Sequence, residues 1–336
     1  MKNLLKLQAG IASALAVGVG LLVMAENGQS QQPPPAAAPA GVAGAPGAPG
    51  APGGRGRGGG GFRQPEPLDF NDHSGWIQMF DGKTFNGWDA DFAWWQIKDE
   101  SIYSESSCEK PTGTIYIIWQ GGEAADFELK FEMKGEGPEV NGGLQYRGAI
   151  IQPGEGPARG GGGRGPGAPG AAPAAGALGG AAPGGGRGRG PQGPCPSGAP
   201  RGVPPSRASQ AKWDMLGAQF DFDGRNRFTG QYYEQATGRG IIAWRGQVVR
   251  TEQGKSPRLL ANLGNTDELA GYVKIDDFNQ YHVIARGNTM THIINGHVMS
   301  VLIDDDPMKF RKGGIIGFEI EGTGKLWMRN IWLKRL

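Results

Sequence analysis

Three short stretches of this 336-residue chain gather side chains that could act on one ligand: Gln145 and Arg147, then Gln219, Asp221 and Asp223, then Glu234 and Arg239. A planar guanidinium fork next to carboxylates and amides suits a polyhydroxylated molecule, because each hydroxyl can both donate and accept. Tyr233 lies in FTGQYYEQATGRG, a run bracketed by Gly230, Gly238 and Gly240, and offers a ring that can stack on the C–H face of a sugar. Trp94, Trp95, Trp213 and Trp244 are further stacking candidates. Asp221 and Glu234 are the candidate proton-transfer groups, Arg147 and Arg239 the candidates for holding developing negative charge, and Gln145, Gln219, Asp223, Arg239 and Tyr233 the candidates for binding.

Other chemistries find little support. His73, His282, His292 and His297 have no zinc-ligand spacing, and structural roles are expected for all four. Asp304-Asp305-Asp306 before Pro307 lacks the spaced oxygens of a calcium loop and reads as a solvated turn. No GxSxG, phosphate loop or Ser/His/Asp order is present. Cys108 and Cys195 are the only thiols, which excludes a disulfide framework and a Cys-rich zinc site and leaves open a single bridge between them.

The elements that must position these residues read as strands. In DFELKFEMK, Phe127, Leu129, Phe131 and Met133 alternate with Glu128, Lys130 and Glu132. In LQYRGAI, Leu144 and Tyr146 oppose Gln145 and Arg147; in GAQFDFDG, Phe220 and Phe222 oppose Gln219, Asp221 and Asp223. Laid in one sheet, the three runs would pool their polar residues on one outward surface, with Glu128, Lys130 and Glu132 facing water. Further strands are expected at residues 94–97, 115–119, 231–234, 240–245, 280–286, 291–294, 297–303, 314–319 and 325–333, with turns such as Asn295-Gly296 between them and no convincing helix. The expected fold is all-β, an antiparallel two-sheet jelly-roll sandwich.

Composition sets the limits. Gly 62 and Pro 25 make up about a quarter of the chain, well above the usual share. Residues 26–63 and 152–210 carry the excess and are expected to be a disordered arm and a disordered insert, since they bury too little to repay the entropy of ordering. Residues 1–25 read as a signal peptide: Lys2 and Lys6 precede an apolar run of about 14 residues, short of the ~20 of a stable membrane span. Export to the periplasm or the extracellular medium is therefore expected. The sandwich expected over 64–336, taken without its 152–210 insert, is mildly acidic, which does not suit nucleic acid; contacts to envelope polymers fall to the Arg/Gly clusters of the arms.

FDGKTFNGW at 80–88, DFELKFEM at 126–133, NGGLQYR at 141–147, GAQFDFD at 217–223, YYEQATGRGI at 232–241 and FNQYHVIARGN at 278–288 together resemble the 3-keto-disaccharide hydrolase family, as do INGHVMSVLIDDDP at 294–307 and WMRNIWLKRL at 327–336. The resemblance implies a concanavalin A-like jelly roll related to laminarinase-type glycoside hydrolases, and cleavage of 3-keto-glycosides or disaccharides. Gln219 stands where the laminarinase-type pattern has its Glu nucleophile, so double displacement is not expected. A 3-keto group instead makes the C2 hydrogen acidic, and elimination followed by hydration would cleave the bond. A divalent metal such as calcium is a further candidate for the enolate charge, with no ligand set legible. GFEIEGTGK at 317–325 departs from the family's usual stretch. The alternative function is a non-catalytic, lectin-like carbohydrate-binding module of the envelope.

Overall fold

The computed structural model describes residues 65–152, 195, 197–198 and 200–336. The expected signal peptide, the arm and most of the insert lie outside the described residues. In chain order the elements are β1 (Ile77–Gln78), β2 (Trp88–Ala90), β3 (Trp95–Lys98), β4 (Ser101–Ser106), β5 (Ile115–Trp119), β6 (Phe127–Ile150), α1 (Arg207–Gln210), β7 (Met215–Asp223), β8 (Tyr232–Gln235), β9 (Gly240–Ala243), β10 (Gln247–Glu252), β11 (Arg258–Asn262), α2 (Thr266–Gly271), β12 (Asn279–Arg286), β13 (Thr289–Ile294), β14 (His297–Asp305) and β15 (Ile315–Arg335).

The runs around Leu129 and Leu144 are one continuous strand, β6, which pairs along almost its whole length with β15. These two strands pass through both sheets. Their one half lies in the order β11-β10-β14-β13-β12-β6-β15-β4-β3, while their other half continues the order β9-β8-β7-β6-β15-β5-β2. All pairings are antiparallel except β10 with β14. The alternating aromatics meet between the layers: Phe131 and Tyr281 of the first sheet stack at 5.0 Å, and Phe318 and Phe220 of the second approach them edge-on at 5.1 Å each. Such pairs add about 0.5–1.5 kcal/mol each beyond the area they bury.

Two expectations of the polar pattern change. Lys130 does not face water: it is buried, its Nζ donates to the carbonyls of Phe70 (2.8 Å) and Asp72 (2.5 Å), and it sits 4.6 Å from the Trp76 ring centroid. The segment 65–76 folds over that face and supplies acceptors, which period-two parity could not foresee. Asp304 is likewise no solvated turn residue but a buried partner of Arg239.

The end of the insert is structured. Cys195 is bridged to Cys108, Gly202 donates its N–H to the Cys108 carbonyl at 2.8 Å, and α1 is capped by the Ser206 side chain. Since β6 and β7 are antiparallel neighbours, the insert occupies the position of a hairpin connection and interrupts neither sheet.

Candidate functional site

The second sheet has two faces of opposite character, and strand register decides which residues share each. On one face Gln145 pairs across to Gln219 and Gln219 to Tyr233, while in the next row Glu319, Gly143 and Asp221 lie directly opposite one another on β15, β6 and β7. Tyr116 on β5 extends that row beyond Glu319. This outward face is a hydrogen-bonded network. Glu319 accepts from Gln219 Nε2 at 2.5 Å, from Gln145 Nε2 at 3.2 Å and from the Tyr116 hydroxyl at 3.4 Å; Gln235 Nε2 donates to that hydroxyl at 3.2 Å. Asp221 accepts from Gln231 Nε2 at 2.5 Å. Glu321 accepts from Thr114 Oγ1 and from Asn141 Nδ2, both at 3.0 Å.

Gly143 makes this spacing work. Its φ is +147°, and a Cβ there would lie 2.2 Å from the Phe220 carbonyl oxygen, so no other residue fits. No side chain therefore stands between Glu319 and Asp221, whose strands are two inter-strand spacings apart, about 10 Å. At one end of the face Tyr116, Ile118 and Met215 form an apolar platform with Trp213 and Ile150 against it.

The electrostatics of this face are unusual. No ion pair among the described residues involves Asp221, Glu319 or Glu321. Burial pushes the Asp221 carboxyl well above its ordinary range, against the pull of the Gln231 hydrogen bond. Burial does the same to Glu319, reinforced by the charge of Glu321, and burial also raises Glu321 itself. Among the described residues no group of three His, Cys, Asp or Glu side chains is placed to hold a metal ion.

The opposite face of the same sheet looks into the sandwich, and it receives residues that simple alternation put outside. Arg147 is one. Between Tyr146 and Ala149 two residues of β6, Arg147 and Gly148, oppose one of β7, Gly217, a bulge in which Arg147 takes φ +47°, and the parity of the strand reverses. Arg147 then points inward: its Nε and Nη1 donate to the carbonyls of Ala125 (2.9 Å) and Gly287 (2.8 Å), and its Nη2 pairs with Asp126 at 3.1 Å. Glu234 pairs across to Ala218, on the inward side, whereas Tyr233 and Gln235 take the outward parity. Arg239 binds Glu234 at 2.8 Å and Asp304 at 2.7 Å, with all three side chains nearly buried.

The expected single surface is thus divided. Gln145, Gln219, Asp221 and Tyr233 share the outward face; Arg147, Glu234 and Arg239 belong to the inward one. A small cavity lined by Arg147, Ala218, Tyr232, Glu234, Met290 and Asp304 has a volume of about 10 Å³, the size of one water and far below a sugar ring. Asp223 is held by its own hairpin, accepting from Arg227 Nε at 3.1 Å and from the Arg227 N–H at 2.8 Å. Sequence reasoning missed Tyr116, Asn141, Gln231, Gln235, Glu319 and Glu321. The alternation of Phe318, Glu319, Ile320 and Glu321 carried the signal for the last two, but only the pairing of β15 with β6 shows that they face Asp221.

The chain belongs to the 3-keto-alpha-glucoside-1,2-lyase-like domain family, whose sequence model matches residues 75–162 and 204–334. Membership points to carbohydrate-active enzymes and binding modules in general. No curated protein matches the chain. Among solved structures it is similar to a Bacillus subtilis protein of unknown function with a galectin-like fold (13% identity, 74% of this chain and 86% of that one, TM-score 0.39). It is also similar to the carbohydrate-binding module CBM66 from Bacillus subtilis (9% identity, 74% and 95%, TM-score 0.37). Likenesses this distant carry no functional argument.

Proposed function

We propose that this protein is an exported enzyme that cleaves 3-keto-glycosides by elimination across C1 and C2, on a concanavalin-like jelly roll. The observation that carries the reading is the cross-strand row in which Asp221 and Glu319 face outward with only Gly143 between them. Asp221 as carboxylate takes the C2 proton, and the electron pair moves into the C3 carbonyl as an enolate. The enolate then forms the C1–C2 double bond as the C1–oxygen bond breaks, and the leaving oxygen takes the proton of the neutral Glu319 carboxyl. Hydration reverses the roles: Glu319 accepts a proton from the water that adds to C1, and Asp221 returns one to C2.

Burial and the charge of Glu321 raise both carboxyls, so each can hold and give up a proton within one cycle, and the division of labour between them is part of the proposal. Each amide nitrogen of Gln145, Gln219 and Gln231 spends one hydrogen on a carboxyl oxygen, leaving a second for the enolate oxygen. In this reading Arg147, Glu234 and Arg239 maintain the scaffold. The Cys108–Cys195 bridge supports an oxidising compartment.

The test is turnover of methyl 3-keto-α-glucoside, following release of methanol and loss of deuterium from C2. Asp221→Asn, still folded, is expected to lose about 100-fold or more. Unchanged turnover in that variant excludes Asp221 as the base; binding of ordinary glucosides with no turnover of the keto sugar by the wild type favours a lectin-like module.

A further inference from the structure

Two acceptors on the outward face have no donor. Gln145 Oε1 and Gln231 Oε1 are buried without a hydrogen-bond partner, and the residues are 0% and 2% exposed. Orphaned buried acceptors are rare, because the lost hydration is not repaid. Neither amide can turn its oxygen elsewhere cheaply. Gln145 is pinned through Nε2 to the Glu319 Oε2 that also accepts from Gln219, and Gln231 through Nε2 to Asp221 Oδ2, so a flip would set each amide oxygen against an oxygen that is already accepting.

We infer that Gln145 Oε1 and Gln231 Oε1 are hydroxyl acceptors for the ligand, so that the face selects a neutral sugar presenting two free hydroxyls and rejects an anionic one. This rests on the proposed reading of the site and names its specificity. The two carbonyls belong to β6 and to the residue preceding β8, on either side of β7 and its Asp221, a placement that lets one ring reach both from above Gly143. The half-buried Asn141, Tyr233, Gln235 and Glu321 form the rim. A hydroxyl supplies the missing donor and then accepts in turn from a neighbouring amide. A uronate or a sugar phosphate brings no donor on its charged group and sets a further negative charge against Asp221, Glu319 and Glu321, which have no cation among the described residues to offset it.

The experiment is a functional-group cycle with methyl 3-keto-α-glucoside, its monodeoxy derivatives and the corresponding uronate, using wild type, Gln231→Met and Gln145→Met, each checked for folding by circular dichroism. In the wild type, removing one particular hydroxyl is expected to lower kcat/KM by about 10- to 100-fold, and the uronate to fare at least as badly. In Gln231→Met, slower overall because Asp221 loses its donor, that same deoxy sugar performs as well as its parent; Gln145→Met erases the penalty for a different hydroxyl. A purely structural glutamine would slow all substrates alike. Equal deoxy penalties in wild type and variants, or equal use of the uronate, overturn the inference while leaving the elimination chemistry standing. If the wild type does not turn over the parent, the elimination reading falls, and calorimetric Kd values for the same sugars and variants decide the hydroxyl assignment; no binding of the parent overturns that as well.

Discussion

Glu319 and Asp221 occupy one cross-strand row, separated by a glycine that no side chain could replace. Neither has a cationic partner among the described residues, and both are held by amides. Buried carboxyls of this kind are costly to the fold when ionised and useful to chemistry when poised.

Glu319→Gln tests that balance. A carboxyl whose folded pKa is raised contributes stability below its unfolded pKa and loses it as pH rises through the folded value. Removing the ionisable group removes that loss. The variant is expected to unfold at a higher temperature than wild type by an amount worth about 1–2 kcal/mol, with the gap wider at pH 8 than at pH 5, while turnover falls. Calorimetric melts across pH read the outcome; a variant less stable at pH 8 contradicts it.

The same pair shapes the pH–rate profile. Activity is expected to rise as Asp221 loses its proton and to fall as Glu319 loses its own, giving a bell whose acid limb lies above the ordinary carboxylate range. In Glu319→Gln the alkaline limb should vanish from kcat/KM. A limb that persists there assigns the acid to another group.

His292 works in the opposite sense. Stacked on Phe220 at 4.0 Å and beside the Tyr146 hydroxyl at 2.8 Å, it is buried, and burial pushes its pKa down to about 3. The unfolded chain takes the proton near pH 6.5, so the stability tied to the neutral ring is complete above that value and drains away as pH falls toward 3. His292→Gln should unfold with a shallower dependence on pH between 6.5 and 3, measured by urea titration at several pH values. An unchanged slope rules His292 out as its source.

Arg239→Met leaves Glu234 and Asp304 buried and unpaired, with an expected cost of about 3–5 kcal/mol by urea unfolding. Turnover per folded molecule should hold, because the pair faces the interior. A stable variant that has lost turnover would return Arg239 to the chemistry.

Much of the fold was legible locally, and the site less so. The alternation from Phe127 to Met133 and from Phe220 to Asp223 gives the correct faces, because those stretches are regular. Arg147 fails because one extra residue in a bulge inverts parity, and nothing in LQYRGAI announces it. Glu234 fails for a different reason: its parity is set by pairing to Ala218, a fact of register and not of composition. Glu319 and Glu321 sit in a recognisable alternation, yet the strands that give them meaning are about 175 and 100 residues away in sequence. Lys130 reads as exposed because the chain that covers it comes from before the first strand.

The family model leaves residues 163–203 unmatched, all of them within the connection between the paired strands β6 and β7. Doubling the length of a flexible loop costs only about 0.6 kcal/mol, so sequence can be added ahead of the Cys195 bridge and α1, which hold the last part of the connection. Gln145 and Gln219, a few residues from the two ends of the connection, are aligned by the pairing of β6 with β7, and a reporter or a second domain grafted ahead of Cys195 should leave the Asp221–Glu319 row unaware of its passenger.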